Sequence, residues 1–243
     1  MSILVTRPEP DATGTVSRLW AMDVDAIAVP LLVRQVLDTA LPEAGDFAAM
    51  VVTSGNALRT LSERSGVEQY RSLPIFTVGE VTGIEAQTLG FGTVQSAAGG
   101  LAELADLLKR SGIAGPVFYP AASERNGDLA ALVAPFGLTL VTTPLYRMVP
   151  VTRVPESVVA ELASGAIEAA LFYSRRTAQS FVAAMADRLT AAQRQHLAVL
   201  CLSNAVAEPL RAAGYGNAAI ARHPNEETMM SLALAFVRER NTP

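Results

Sequence analysis

The sequence predicts an α/β fold in which two similar, flavodoxin-like domains each carry a parallel sheet, with a cleft between the two copies. Short apolar segments alternate with helical segments along the chain, which is the pattern of parallel sheets covered by helices. The 243 residues are 50% hydrophobic but only 6% aromatic, so aliphatic side chains dominate the expected core. The second half of the chain also repeats the order of elements found in the first half.

Strands and helices alternate regularly in the first half of the chain. Short, largely β-branched apolar runs predict strands at residues 3–5, 26–29, 49–52 and 93–95, and a strand with its turn at residues 74–79. Helices are predicted at residues 11–21, 57–65, 82–89 and 100–110. Gly90 follows the third of these helices, at the position where a glycine commonly ends a helix.

The most informative turn of the first half is Thr53-Ser54-Gly55-Asn56. It follows the apolar run at residues 49–52 and leads into the predicted helix at residues 57–65. Gly55 permits a tight turn, and Asn56 is the expected cap of the helix. Such a turn places backbone N–H groups and small hydroxyls at the carboxyl end of a strand, where open α/β sheets bind ligands.

The second half repeats this order with a slowly changing offset. Ser174 follows a similar apolar run 120 residues after Ser54, and Gly214 repeats Gly90 after 124 residues. The repeated set also contains predicted strands at residues 116–120, 138–141 and 200–203, and helices at residues 128–133 and 205–213. Changes in loop length explain the drift of the offset. A repeat of this length is too long for a solenoid, so it indicates a duplicated domain.

Composition and charge exclude several classes of protein. A formal net charge of −4 without a basic run predicts no nucleic-acid partner. The single cysteine, Cys201, excludes an intramolecular disulfide, and its apolar surroundings predict a core residue rather than a nucleophile. The amino terminus lacks the pattern of a signal peptide, and no apolar stretch reaches the roughly 20 residues of a membrane span. We therefore expect a soluble, cytoplasmic protein without a membrane partner.

Several of these segments resemble one known family, uroporphyrinogen-III synthase, the cofactor-free lyase of tetrapyrrole biosynthesis. Their order and spacing cover nearly the whole chain. The segments that carry the resemblance are Val5-Thr6-Arg7-Pro8, Val52-Thr53-Ser54-Gly55-Asn56-Ala57, Val78-Gly79 with Thr82 and Gly90, Pro144-Leu145-Tyr146, and Phe172-Tyr173-Ser174.

The resemblance implies two α/β domains joined by a two-stranded linker that the chain crosses twice. One domain is then discontinuous and comprises residues 1–33 and 150–243, while the other comprises residues 39–141. The linker strands are expected at residues 34–38 and 142–149, near the proline-marked segments that begin at Pro30 and Pro144. Two crossings form a hinge that suits a cleft able to open and close.

The resemblance also implies the reaction. The family closes hydroxymethylbilane, a linear tetrapyrrole, to uroporphyrinogen III with loss of water and inversion of the last ring through a spiro intermediate. The substrate expels its own hydroxyl, so the protein mainly has to hold two chain ends in the productive geometry. No cofactor and no metal are expected. The expected state is a monomer that makes at most transient contact with hydroxymethylbilane synthase.

The site residues follow from the same resemblance and from the turns. Tyr146 is the expected catalytic residue, because its phenol is a donor at neutral pH and the matching tyrosine of the family is proposed to assist departure of the hydroxyl. The substrate carries eight carboxylates, for which strand-end N–H groups, short hydroxyls and arginines are suitable receptors. The expected substrate-binding residues are Arg7, Thr53, Ser54, Gly55, Asn56, Gly79, Thr82, Ser174, Arg175, Ser203 and Asn204.

Alternative roles stay open at each of these positions. Ser54, Thr82 and Ser174 fit ordinary helix capping as well as ligand binding, and most arginines of a protein are simply solvated. Ala205 and Val206 stand where the family usually has threonines, which leaves Ser203 and Asn204 as the polar groups of that turn. A rival function is therefore a non-catalytic two-domain module that binds another anionic ligand.

Overall fold

A computed structural model describes residues 2–125 and 127–241 of the chain, and these form eleven strands and ten α-helices. The strands are β1 (Ser2–Val5), β2 (Ala26–Ala28), β3 (Leu32–Val36), β4 (Ala49–Val52), β5 (Ile75–Thr77), β6 (Val94–Ser96), β7 (Val117–Ala122), β8 (Leu140–Pro150), β9 (Ile167–Phe172), β10 (Ala198–Cys201) and β11 (Ala218–Ile220). The helices are α1 (Asp11–Trp20), α2 (Gly55–Ser62), α3 (Glu80–Thr88), α4 (Leu101–Arg110), α5 (Leu129–Val133), α6 (Glu156–Ser164), α7 (Arg175–Met185), α8 (Ala191–His196), α9 (Asn204–Ala212) and α10 (Glu226–Asn241).

The chain forms two compact units. Unit 1 comprises Met1–Val33 and Val149–Pro243, and unit 2 comprises Arg34–Met148. The chain passes from one unit to the other within β3 and returns within β8. These two strands are hydrogen-bonded neighbours at one edge of a sheet. The Leu37 amide donates to the Leu145 carbonyl, 2.8 Å away.

Unit 1 is built on a five-stranded parallel sheet with the order β11-β10-β9-β1-β2. Leu4 lies opposite Ile27 on one side and Ala170 on the other, which places β1 and β9 side by side in the middle of the sheet. One face of the sheet packs on α6, α7 and α9 around Phe172 and Phe181, and the other packs on α1 and α10. Burial of both faces explains why these strands are almost wholly apolar.

Unit 2 repeats the same arrangement in a six-stranded sheet with the order β3-β8-β7-β4-β5-β6. The strands β8-β7-β4-β5-β6 follow each other in space as β2-β1-β9-β10-β11 do in unit 1. Strand β4 is fully buried and pairs in parallel with β5 and β7. Gly90 and Gly214 both adopt positive φ, 82° and 89°, directly after helices α3 and α9. The predicted duplication of a parallel α/β fold is thus confirmed in the strand order.

The structure departs from the predicted elements in β8. The sequence predicts a strand at residues 138–141 followed by a linker at residues 142–149, whereas Leu140–Pro150 is one continuous strand. Pro144 is accommodated because it stands opposite Ala121, where the register between β7 and β8 shifts. A proline lacks the amide hydrogen that a regular ladder uses, and a bulge removes that requirement. Helices α6, α8 and α10 lie outside the set predicted from the sequence.

Candidate active site

The turn after β4 is set by Ser54 and not by Asn56. Ser54 is the N-cap residue of α2, with extended backbone angles, and its Oγ accepts a hydrogen bond from the Asn56 amide at 3.2 Å. The prediction that Asn56 caps this helix is therefore wrong. Asn56 already lies inside the first turn of α2, where its Oδ1 accepts from Arg59 Nη1 at 3.3 Å. The serine hydroxyl is short and accepts from the helix amide two positions further along the chain.

Gly55 provides space for a carboxylate beside the start of α2. A Cβ at this position would lie 2.0 Å from Glu85 Oε2 and 3.2 Å from Arg59 Nη2. Glu85 comes from the neighbouring helix α3 and is paired with the Arg59 guanidinium. A negative charge near the amino terminus of a helix is favourable, because it faces the positive end of the helix dipole. The first turn of α2 thus already holds an internal anion.

Tyr146 lies in the second half of β8, opposite the last residue of β7, and is only 4% exposed. Burial is the main cause that raises the pKa of its phenol, and the nearby Tyr119 adds to this rise. A side-chain hydrogen bond with Ser54 and the charges of Arg34 and Arg59 act in the opposite direction. Because the net shift is upward, the phenol keeps its proton at neutral pH and remains a hydrogen-bond donor.

A cavity of about 230 Å³ opens beside Tyr146 at the carboxyl edge of the sheet in unit 2. Thr53 and Ser54, the two hydroxyl-bearing residues of the turn, both line it. Thr53 Oγ1 lies 2.9 Å from the Tyr119 hydroxyl, at hydrogen-bonding distance. The described residues that line the cavity are Thr53, Ser54, Val78, Leu101, Tyr119, Ala122, Glu124, Arg125 and Tyr146.

Four predicted residues of unit 2 do not line this cavity, namely Gly55 and Asn56 of the same turn and Gly79 and Thr82 at the start of α3. Gly79 is the N-cap residue of α3, and a Cβ built there would meet no atom within 4 Å. Thr82 lies in the first turn of α3 and is half-buried. Both positions stand at the carboxyl end of β5, the neighbour of β4, on the same edge of the sheet as Ser54.

In unit 1, the predicted site residue Arg7 belongs to a network of charged and hydroxyl groups. Arg7 is paired with Glu226 of α10, and its guanidinium lies 4.3 Å from the centroid of the Tyr173 ring. Glu226 also accepts hydrogen bonds from Arg18 Nη1 at 2.7 Å and from Thr15 Oγ1 at 3.2 Å. Burial and, after it, the charge of Glu226 raise the pKa of Tyr173. An internal carboxylate therefore occupies the position where Arg7 was expected to meet a ligand.

The remaining predicted residues of unit 1 lie at the starts of α7 and α9. Ser174 is the N-cap residue of α7, and its Oγ accepts from the Thr177 amide at 3.1 Å, so it repeats the role of Ser54. Ser203 occupies the N-cap position of α9 without a side-chain cap bond. Asn204 Oδ1 accepts from Arg211 at 3.3 Å, and Arg175 forms an exposed ion pair with Glu208 at 2.8 Å.

The structure thus brings together three of the predicted residues, namely Thr53, Ser54 and Tyr146. The sequence-based prediction missed Tyr119 and Glu124, which line the same cavity. No local pattern of the sequence marks Tyr119, because it lies inside β7 and reaches Thr53 only through the pairing of β7 with β4. Among the described residues, no group of three or more histidine, cysteine or carboxylate side chains is placed to hold a metal ion. Within the same residues, no helix has the length and hydrophobicity needed to span a bilayer.

The fold and site define a class of protein. It is a two-unit, parallel α/β protein with a small pocket that is lined by hydroxyl-bearing residues, including a buried tyrosine. A family model described as uroporphyrinogen-III synthase HemD matches residues 15–231 of the chain. The chain therefore belongs to the uroporphyrinogen-III synthase family, whose members are lyases of porphyrin biosynthesis.

Solved structures agree with this fold. The uroporphyrinogen-III synthetase from Helicobacter pylori 26695 superposes with a TM-score of 0.65 at 16% identity, covering 97% of this chain and 99% of that one. A mutant uroporphyrinogen III synthase from the extremely thermophilic bacterium Thermus thermophilus gives a TM-score of 0.58 at 15% identity, with 100% of both chains covered. No curated protein matches the chain.

Proposed function

We propose that this chain closes hydroxymethylbilane to uroporphyrinogen III, with loss of water and inversion of the last pyrrole ring. The observation that carries the proposal is the position of Tyr146, a buried and protonated phenol that faces a hydroxyl-lined cavity at the carboxyl edge of a parallel sheet. Membership of the uroporphyrinogen-III synthase family supports the same reaction and a tetrapyrrole substrate.

The first step needs no reactant other than the substrate, which supplies the electron pair, the leaving group and the proton. The lone pair of the pyrrole nitrogen pushes into the ring, the C–O bond of the hydroxymethyl group breaks, and the hydroxyl leaves with the electron pair. The proton lost from the pyrrole nitrogen and the departing hydroxide together form water, which leaves an azafulvene. The terminal ring then attacks through its substituted carbon to form the spiro intermediate, which fragments and closes again with that ring inverted.

Tyr146 assists this step as a hydrogen-bond donor to the departing oxygen. A side-chain hydrogen bond joins Ser54 and Tyr146. We assign Ser54 as its donor, because Ser54 Oγ already accepts from the Asn56 amide and its hydrogen is left for the phenol oxygen. The hydrogen of Tyr146 then remains available for the leaving hydroxyl. A donor that is already buried and held in place stabilises developing negative charge without having to reorganise.

Binding the substrate requires receptors for its carboxylates. We propose that these are the strand-end turns and their neighbours, because N–H groups at the starts of helices favour anions. In unit 2 the candidates are Thr53, Ser54, Gly55, Asn56, Gly79 and Thr82. In unit 1 they are Arg7, Ser174, Arg175, Ser203 and Asn204.

We further propose that the protein acts in the cytoplasm as a monomer and meets hydroxymethylbilane synthase transiently. The linear substrate closes without assistance and then forms the isomer that lacks the inversion. A short diffusion path between the two enzymes limits the amount of substrate that closes to this isomer before it is bound. No cofactor or metal takes part in the proposed reaction, since the electron pair, the leaving group and the proton all come from the substrate.

One assay tests the proposal. The purified protein receives hydroxymethylbilane generated by its synthase, and the type I and type III isomers are separated by chromatography after oxidation to porphyrins. We expect the type III isomer to dominate and its formation to scale with protein concentration. Type I product alone, at the rate seen without protein, would exclude the enzyme and favour a non-catalytic module that binds an anionic ligand.

A further inference from the structure

The cavity beside Tyr146 contains a second phenol, that of Tyr119. Tyr119 is 5% exposed and packs with Val51 and Val117 on one face of the sheet, while Tyr146 packs with the cluster on the opposite face. The two rings therefore approach the cavity from opposite faces of the sheet and meet at its carboxyl edge. They are close enough for Tyr119 to raise the pKa of Tyr146.

Each phenol is paired with one hydroxyl of the same turn. Thr53 and Ser54 are consecutive residues, and neighbouring side chains at the end of a strand point to opposite faces. Thr53 consequently pairs with Tyr119 at 2.9 Å, and Ser54 pairs with Tyr146. A pair of hydroxyls that shares one hydrogen bond keeps one hydrogen free, whichever oxygen donates within the pair. The two pairs together can offer two O–H donors to one ligand atom in the cavity.

The charge of the cavity indicates which ligand atom this is. Among the described lining residues, Glu124 carries the negative charge and Arg125 the positive charge, so the lining has no excess of either sign. Arg34 and Arg59, whose charges act on Tyr146, are themselves paired with Glu63 and Glu85. A carboxylate bound by side chains in this cavity would favour an excess of cations, so we assign the carboxylates to backbone N–H groups of the turn. The hydroxyls of Thr53 and Ser54, with their phenols, instead suit a hydroxyl oxygen that becomes negative only as it leaves.

We propose that the Thr53 hydroxyl donates to the phenol oxygen of Tyr119, and that Tyr119 is thereby a second hydroxyl donor to the leaving oxygen of the substrate, alongside Tyr146. This inference rests on the proposed function, because it assigns a role within that reaction. The C–O bond breaks as described above, and Tyr119 contributes a hydrogen bond without giving up its proton. Because this bond strengthens only as charge develops on the oxygen, it lowers the barrier and leaves substrate affinity nearly unchanged.

The test measures kcat and KM for type III formation by Tyr119→Phe, Thr53→Val and the double variant. We expect Tyr119→Phe to lower kcat about five- to tenfold, the effect of losing one hydrogen bond, with KM within about twofold of wild type. Thr53→Val should also lower kcat. The double variant should fall no further than the more impaired single variant, since the two residues act as one pair.

Tyr70→Phe is the matched control. Tyr70 is also fully buried in unit 2, but its hydroxyl donates to the Pro42 carbonyl and does not line the cavity. This variant should keep the wild-type kcat even where its melting temperature falls. A kcat of Tyr119→Phe within twofold of wild type overturns the inference, as does a rise in KM alone or an effect that multiplies with that of Thr53→Val. Failure of the proposed function is distinguishable, because wild-type protein would then yield only the type I isomer.

Discussion

The Arg7 guanidinium and the Glu226 carboxylate, 219 residues apart in the chain, form an ion pair beside the carboxyl end of β1. The same carboxylate accepts hydrogen bonds from Arg18, Thr15 and Tyr173. Several hydrogen bonds therefore hold the start of α10 against the rest of unit 1. Both partners are largely shielded, with side-chain exposures of 21% and 28%. A shielded carboxylate with several donors stabilises more than an exposed ion pair does.

Replacing Glu226 should therefore destabilise unit 1. Glu226→Ala leaves Arg7 and Arg18 without this carboxylate, and we expect the free energy of unfolding to fall by about 1–2 kcal/mol. Glu227→Ala is the matched control, because Glu227 is also acidic and in the first turn of α10 but is exposed. Urea denaturation of both variants measures the difference. Equal losses would mean that the helix dipole, and not the network, accounts for the effect.

Tyr146→Phe should slow the formation of type III product by about tenfold and leave the fold intact. The phenol supplies one hydrogen bond to the leaving oxygen, while positioning of the chain ends supplies most of the acceleration. Steady-state assays with wild type and variant give the ratio, and circular dichroism checks the fold. A folded variant with no activity at all would contradict this view and assign Tyr146 an essential proton transfer.

Gly55→Ala should disturb the carboxylate at the start of α2. The added Cβ would lie 2.0 Å from Glu85 Oε2, so the pair of Glu85 and Arg59 has to move. We expect a loss of about 1 kcal/mol, as for a moderate steric substitution. Gly45→Ala serves as the control, because a Cβ at Gly45 meets nothing within 4 Å.

The double variant Gly55→Ala with Glu85→Ala provides a further check, since it removes the atoms that collide. It should be less destabilised than the sum of the two single variants. Additive losses would show that Glu85 is not the group with which the new methyl collides.

Cys201 should be unreactive in the folded protein. It is fully buried in β10, and burial raises the pKa of its thiol from 9.0 to about 12. At pH 8 this shift alone reduces the thiolate fraction about a thousandfold relative to the unfolded chain. Alkylation by iodoacetamide, with and without denaturant, measures the protection. Rapid modification of folded protein would place Cys201 outside the core.

The raised pKa of Cys201 also makes the free energy of unfolding depend on pH. The folded state holds the thiol proton more tightly than the unfolded state, so this contribution is complete below pH 9. It is lost as the pH rises from 9 towards 12, because the unfolded thiol ionises first. Cys201→Ala should therefore show a smaller loss of stability over that range than wild type does in urea titrations.

Local patterns predicted much of the architecture. The apolar run that is now β4, the glycine that ends α3 and the serine turns before α2 and α7 are all visible in the sequence, because each depends on residues within a few positions. Helices α6 and α10 were not predicted from the sequence. The apolar pattern of α10 is weak along its 16 residues, since part of its attachment to unit 1 comes from Glu226 and its distant partners.

The site was predictable only in part, for a related reason. Ser54 and Thr53 stand in one local turn, and Tyr146 was recognised through resemblance to a family. Tyr119 carries no local pattern, and its proximity to Thr53 follows from the pairing of β4 with β7, which lie 66 residues apart at this contact. The residue type of Asn56 predicts a cap, whereas the backbone angles give that role to Ser54.

The sequence alone determined the class of fold, its duplication and the family, because these depend on periodic burial and on short motifs that each segment carries within itself. The tertiary structure decided which groups meet. It placed two phenols from opposite faces of one sheet at a single cavity, and it filled the expected ligand positions of Arg7 and Gly55 with the carboxylates of Glu226 and Glu85. Hydrogen bonds and ion pairs act only over a few ångströms, so their partners are known only once distant segments have packed together.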